Sequence, residues 1–368
     1  MGMKATLEIG SARGQRGHLA YGAVEAVVLP SGGTDHFPII IAQGPKDGPV
    51  LWLTASIHGA EYTGIPAIHQ LLTPDLVSRL RGAIVAVPTL NPAGLRTADR
   101  GAYYLRGQDP NRLFPGPQPR RQTDITDPPI SALEAAYQRL FEHIRQTANY
   151  LIDLHNYALG SVAFALRDPV YYRAGRDRLA AQQLQNTVGS MLAAFGFSIV
   201  NEFASNDYLR KNLHRSVSGA ALNTARIPAF TAELGGYLSV EPGIVAAAVS
   251  GLRNVLHWAE MLDGPAEPIS GIRVLSPGYP MRRVHHPFAP ESGIVSYLVK
   301  AGDPVAIGDP VARLSDIYGR PCGEDGLIRS DLDGIVLGLT QGAICYQNEP
   351  LLSLAIHDDS DLVVPYPA

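Results

Sequence analysis

The stretch Leu51-Trp52-Leu53-Thr54-Ala55-Ser56-Ile57-His58-Gly59-Ala60-Glu61 is an apolar run that ends in a histidine and a glutamate three residues apart. Such a run predicts a buried strand, and open α/β sheets bind their ligands just past the carboxyl ends of their strands, where this pair stands. Tyr150-Leu151-Ile152-Asp153-Leu154 is a second apolar run with His155 at its end. Two strand ends thus offer two imidazoles and a carboxylate, the donors a hydrolytic zinc ion takes from protein while water keeps the fourth position. Asp153, two residues before His155, falls on the same side of the strand and is placed to orient that ligand. Spacing alone does not decide the matter, because His257-Trp258-Ala259-Glu260 repeats it inside a predicted helix from about Pro242 to Leu262. That second pair reads as helix surface or packing, and His58 and Glu61, taken without context, also fit loop residues that cap the next helix.

Working outward, short apolar runs alternate with helical stretches from about Pro49 to Leu262. Ala83 to Val87 is a third strand; Ile65 to Leu72, Ser131 to Arg145, Arg178 to Ala194 and Ile244 to Leu262 carry apolar residues at helical spacing. The alternation predicts an α/β domain, a mixed β-sheet flanked by helices, with residues 7 to 30 as edge strands leading in. Asp263-Gly264-Pro265-Ala266-Glu267-Pro268 has the composition of a linker. Beyond it come short strands and glycine turns without a helix, so the expected division is 1–263 as the catalytic domain and 271–368 as a small all-β, barrel-like domain. That second region holds an internal repeat: Ser292-Gly293-Ile294-Val295 and Asp333-Gly334-Ile335-Val336 open two similar segments, offset by 41 residues.

Further motifs follow in order: Asn91-Pro92-Ala93-Gly94, then Asp109-Pro110-Asn111-Arg112, then Asp153-Leu154-His155, then Glu233 before Leu234-Gly235-Gly236. With the His-x-x-Glu pair, the set resembles the succinylglutamate desuccinylase/aspartoacylase family of the zinc carboxypeptidase-like superfamily. The resemblance implies a zinc-dependent hydrolase of carbon–nitrogen amide bonds, with one Zn2+ per chain held by His58, Glu61 and His155. It makes Glu233 the general base that moves protons between water and the leaving amine, and Asn111 with Arg112 the grip on a substrate carboxylate. Arginine suits that task because its planar fork donates two parallel hydrogen bonds. The family also stabilises the oxyanion with an upstream arginine; Arg96, Arg100 and Arg106 lie in the segment, and Arg100 is favoured. On the residues alone, Glu233 also reads as a charge at a strand end before a Gly-Gly turn, Arg112 as a surface residue in a Pro/Gly-rich loop, and Arg100 as a solvated loop arginine. Pro110 stands where the family usually has leucine, a change to the turn that spares the side chains on either side. The two β halves resemble a biotinyl/lipoyl-type barrel, but residues 301 to 368 contain no lysine for a carrier to modify. The expected work of that domain is to wall the active-site mouth or to form a homo-oligomer contact.

The implied reaction is deacylation of a small anionic N-acyl amino acid, or a related acylated diamine acid. A metallocarboxypeptidase acting on short peptides is the alternative, and a non-catalytic binding protein on the same fold is the third. At 368 residues the chain can bury a large core, and a net charge of -4 with a pI near 6.3 gives no footprint for nucleic acid. Cys322 and Cys345 lack any zinc-ribbon spacing and read as reduced packing residues. No run reaches about 18 apolar residues, so no membrane partner is expected and a cytoplasmic protein follows.

Overall fold

The computed structural model describes residues 6–117 and 129–367. Its centre is a 12-stranded mixed sheet. In chain order the strands are β1 His18–Val28, β2 Thr34–Gln43, β3 Lys46–Ala55, β4 Arg81–Val87, β5 Tyr150–Tyr157, β6 Phe164–Arg167, β7 Ser198–Asn201, β8 Ala229–Gly236, β9 Met281–His285, β10 Pro304–Val305, β11 Gly334–Leu339 and β12 Leu352–His357. Across the sheet they run β10-β11-β12-β9-β7-β6-β8-β5-β3-β4-β2-β1. β8, β5, β3 and β4 are parallel neighbours, so their carboxyl ends open on one edge.

Residues 50–55 of β3 are buried without a break, as a strand covered on both faces must be. Their side chains alternate between two cores. Leu51, Leu53 and Ala55 join the cluster under α1 (Gly64–Leu71), α3 (Arg178–Phe195) and α5 (Pro242–Trp258). Val50 and Trp52 join the one under α2 (Ala132–Thr147) and α4 (Val217–Asn223). The Ser131 side chain starts α2 by accepting from the Glu134 amide, and Gly196, left-handed at φ 81, ends α3.

The four predicted helices are all present, with one end displaced. The last stops at Trp258, four residues before Leu262, because Glu260 turns left-handed at φ 56 and the amides of Met261 and Leu262 fold back onto the Leu256 carbonyl. His257 then bonds the Leu262 carbonyl at 3.0 Å, so the second His-x-x-Glu is a helix terminus. β2 was not anticipated: its buried Asp35, paired with Arg96, breaks the apolar pattern.

After Trp258 the described residues form strands and turns only. The offset repeat is visible as an exchange: Pro304–Val305 pairs with Gly334–Ile335, while Ile344–Cys345 pairs with Gly293–Ile294. This β region is hydrogen-bonded into the main sheet, β9 lying parallel to β7. Both cysteines are free and sit in or against its apolar core.

Candidate active site

His58 stands three residues past β3 on a loop that turns at Ser56, a non-glycine residue at φ 49. Asn91-Pro92-Ala93-Gly94 supports that loop. The Asn91 side chain caps a short helix by accepting from the Gly94 amide at 2.9 Å, and donates to the Ile57 carbonyl at 3.1 Å. A Cβ on Gly59 would fall 1.9 Å from the Gly94 carbonyl carbon, and one on Gly94 would fall 2.4 Å from the Asn91 side-chain nitrogen, which explains glycine at each position.

Glu61 bridges the two imidazoles. Its Oε1 lies 2.7 Å from His58 Nδ1 and its Oε2 lies 2.7 Å from His155 Nδ1. One donor atom from each of His58, Glu61 and His155 lies within 4.8 Å of the others, and all three residues are buried. The opposite ring nitrogens are held by carboxylates, His58 Nε2 by Asp109 at 3.0 Å and His155 Nε2 by Asp153 at 2.8 Å. Thr54 in turn donates to Asp153 at 2.6 Å. Such outer carboxylates fix the tautomer of a metal-binding histidine and leave Nδ1 free to ligate. Burial raises the Glu61 carboxyl, yet the adjacent imidazoles overrule it and hold it well below the usual carboxylate range. The donor set, two imidazoles and a carboxylate on a buried three-way centre, fits a divalent cation, which would replace the protons those groups now share.

Glu233 lies on β8 directly opposite His155 on β5. It is buried, its Oε2 has no hydrogen-bond partner among the described residues, and desolvation pushes its pKa up to about 7. A carboxyl with that value is half ionised near neutral pH, as a general base should be.

Asp109, Asn111 and Arg112 occupy one tight turn. Asp109 accepts from the Asn111 amide and from Arg100 Nη2, each at 2.9 Å. Burial raises the Asp109 carboxyl, but the His58 bond and the flanking arginines hold it far down. Asn111 reaches His155 at 3.4 Å and accepts from the Val217 amide at 3.0 Å. Arg112 is anchored through Nε on the Lys211 carbonyl at 2.8 Å and through Nη1 on its own neighbour's carbonyl at 2.6 Å. Among the described residues its nearest carboxylate, Asp109, is 3.8 Å away, and burial together with the nearby Arg100 and Arg283 lowers its pKa. A cation so placed favours an incoming anion. Of the three upstream arginines, Arg96 is turned to Asp35 and Arg106 is exposed in a left-handed turn, while Arg100 lies 3.6 Å from Glu61.

His58, Glu61, His155, Glu233, Arg100, Asn111 and Arg112 all line one cavity of about 750 Å³. Three charged wall residues escaped the sequence reading: Asp168 and Glu202 directly follow β6 and β7, and Arg283 is the middle residue of β9, with no motif to mark them. Asp109, which holds His58 from behind, was in plain sight as the first residue of its motif. Arg283 makes a bidentate pair with Glu202 and stacks over Phe203 at 4.5 Å.

Comparison with known proteins gives the family and the fold. Residues 47–259 match the succinylglutamate desuccinylase/aspartoacylase catalytic domain. The chain is 24% identical over 277 residues to N-alpha-acetyl-L-2,4-diaminobutyric acid deacetylase of Halomonas elongata, covering 74% of this chain and 72% of that one. A succinylglutamate desuccinylase from Silicibacter sp. TM1040 has a similar structure, with TM-score 0.72 at 20% identity over 92% of this chain and 95% of the other. So does the product-bound ectoine utilization protein of Ruegeria pomeroyi, with TM-score 0.72, 21% identity and the same coverage.

Proposed function

The chain belongs to the succinylglutamate desuccinylase/aspartoacylase family, and we propose that within it the protein is a zinc-dependent amidohydrolase that removes the acyl group from a small N-acyl amino acid. One observation carries this reading: the His58–Glu61–His155 donor set shares a cavity with a buried, partnerless carboxyl oxygen of Glu233. When bound, a divalent ion there supplies Lewis acidity and makes water nucleophilic near neutral pH. The chain's own residues do the rest. Glu233 takes a proton from the attacking water at Oε2 and delivers it to the departing amine nitrogen. Arg100 faces the carbonyl oxygen as negative charge develops on it. Arg112, steadied by the Lys211 carbonyl, grips the substrate carboxylate, and Asn111 fixes the turn against His155 and α4.

The division of labour is part of the proposal: 1–263 carries the chemistry, and 271–368 walls the cavity, to which it contributes Arg283, His285 and Thr340. Among the described residues no helix is long and apolar enough to cross a membrane. The deciding assay is amine release by zinc-loaded protein from a panel of N-acetyl and N-succinyl amino acids, beside short peptides. Cleavage of the acyl amino acids supports the proposal; cleavage of the peptides alone would make the protein a carboxypeptidase, and cleavage of neither would leave a binding protein.

A further inference from the structure

Asp168 is a buried wall residue whose chemistry the reaction above leaves unused. It follows β6 two residues after Leu166, and both line the cavity, as strand alternation requires. It is 3% exposed. Tyr208 and Ser218 both donate to its Oδ2, each at 3.1 Å, and Ser218 lies 2.9 Å from Thr231 Oγ1, two residues before Glu233 on β8. Oδ1 has no hydrogen-bond partner, and no cation pairs with the carboxylate, among the described residues. The nearby guanidinium of Arg283 is committed to Glu202. Burial, followed by the charge of Glu202, pushes Asp168 up to about 7. A carboxyl taken out of water without a counter-charge is costly, and the cost is relieved if the ligand brings the charge. With both hydroxyls on Oδ2, Oδ1 is left to accept from the cavity.

The same hydroxyl frame connects Asp168 to the carboxylate grip. Ser218 follows Val217, whose amide holds Asn111, so the first turn of α4 spans from Asp168 to the Asn111–Arg112 turn. A ligand with a carboxylate and an ammonium finds a partner for each on one cavity wall. We propose that Asp168 is a specificity residue that receives an ammonium group at the far end of the substrate side chain, so that the preferred substrates are N-acyl diamino acids and not N-acyl dicarboxylic acids. The inference rests on the deacylase reading.

Two substrates of equal size test it: Nα-acetyl-2,4-diaminobutyrate and Nα-acetylnorvaline, which differ by an ammonium in place of a methyl group. Zinc-loaded wild-type protein should prefer the first by about ten-fold or more in kcat/KM, the worth of a hydrogen bond to a charged group. In Asp168→Asn that ratio should fall to within about three-fold, and because it is read within one protein, a general loss of activity cancels. Equal rates in wild type, or an undiminished ratio in the variant, would overturn the assignment while leaving the deacylase reading intact. Calorimetric binding of free 2,4-diaminobutyrate and norvaline to wild type reads the same subsite without turnover. A preference for the diamino acid sustains the subsite even if no acyl substrate is cleaved, and equal affinity overturns it.

Discussion

Glu233→Gln should separate what the carboxyl does for catalysis from what it costs the fold. Burial moves its pKa from 4.5 to about 7. Between those values the folded protein binds a proton that the unfolded chain has released, so stability falls as pH rises. The penalty is absent below about pH 4.5 and complete above about pH 7. At roughly 1.4 kcal/mol per pKa unit it amounts to on the order of 3 kcal/mol at pH 8, and to about 1 kcal/mol at pH 5. Glutamine has the same shape and no charge, and escapes the penalty. In urea unfolding of metal-free protein, the advantage of the variant over wild type should therefore widen by about 2 kcal/mol from pH 5 to pH 8. The zinc-loaded variant should keep its metal and lose at least ~10²-fold in kcat, as when a general base is removed. A stability gap that is the same at both pH values would refute the buried, raised carboxyl. An unchanged kcat would put the base elsewhere, and loss of zinc would make Glu233 a ligand.

Replacing His155 by alanine should abolish both metal and activity; full zinc occupancy by elemental analysis would rule the residue out as a ligand. Asp153→Asn should weaken zinc affinity by about 10- to 100-fold in a chelator competition, the usual effect of removing a carboxylate behind a histidine ligand. Arg112→Lys should mainly raise KM, by on the order of 1 to 3 kcal/mol, and should erase most of the preference for a free-acid over an amidated substrate. Arg100→Ala should instead lower kcat by roughly 10²- to 10³-fold with little change in KM, the signature of a donor acting in the transition state.

The candidate site was legible where chemistry and geometry coincide in short segments. His58 and His155 each follow an apolar run, and a run ending in a polar group is what a parallel strand pointing at a site looks like. The register that sets Glu233 against His155 is not written in either segment; it follows from which strands become neighbours. Asp168, Glu202 and Arg283 were illegible for the same reason. β6, β7 and β9 are only four or five residues long, too short to show a period, and the sheet brings them together from distant parts of the chain. β2 failed to announce itself because Asp35 and Pro38 interrupt it, and only the fold supplies Arg96 to answer Asp35.

The unbroken sheet has an evolutionary corollary. Removing residues after 263 would strip β9 from β7 and leave Ser198–Asn201 as a raw edge, a template for pairing with other chains. It would also orphan Glu202, and a buried carboxylate deprived of its arginine typically loses about 3 to 5 kcal/mol. The β region is thus not a cargo that recombination can drop or swap freely. Any exchange between relatives must import a compatible β9 with its charge in place, so the mouth of the cavity and its catalytic floor are constrained to diverge together.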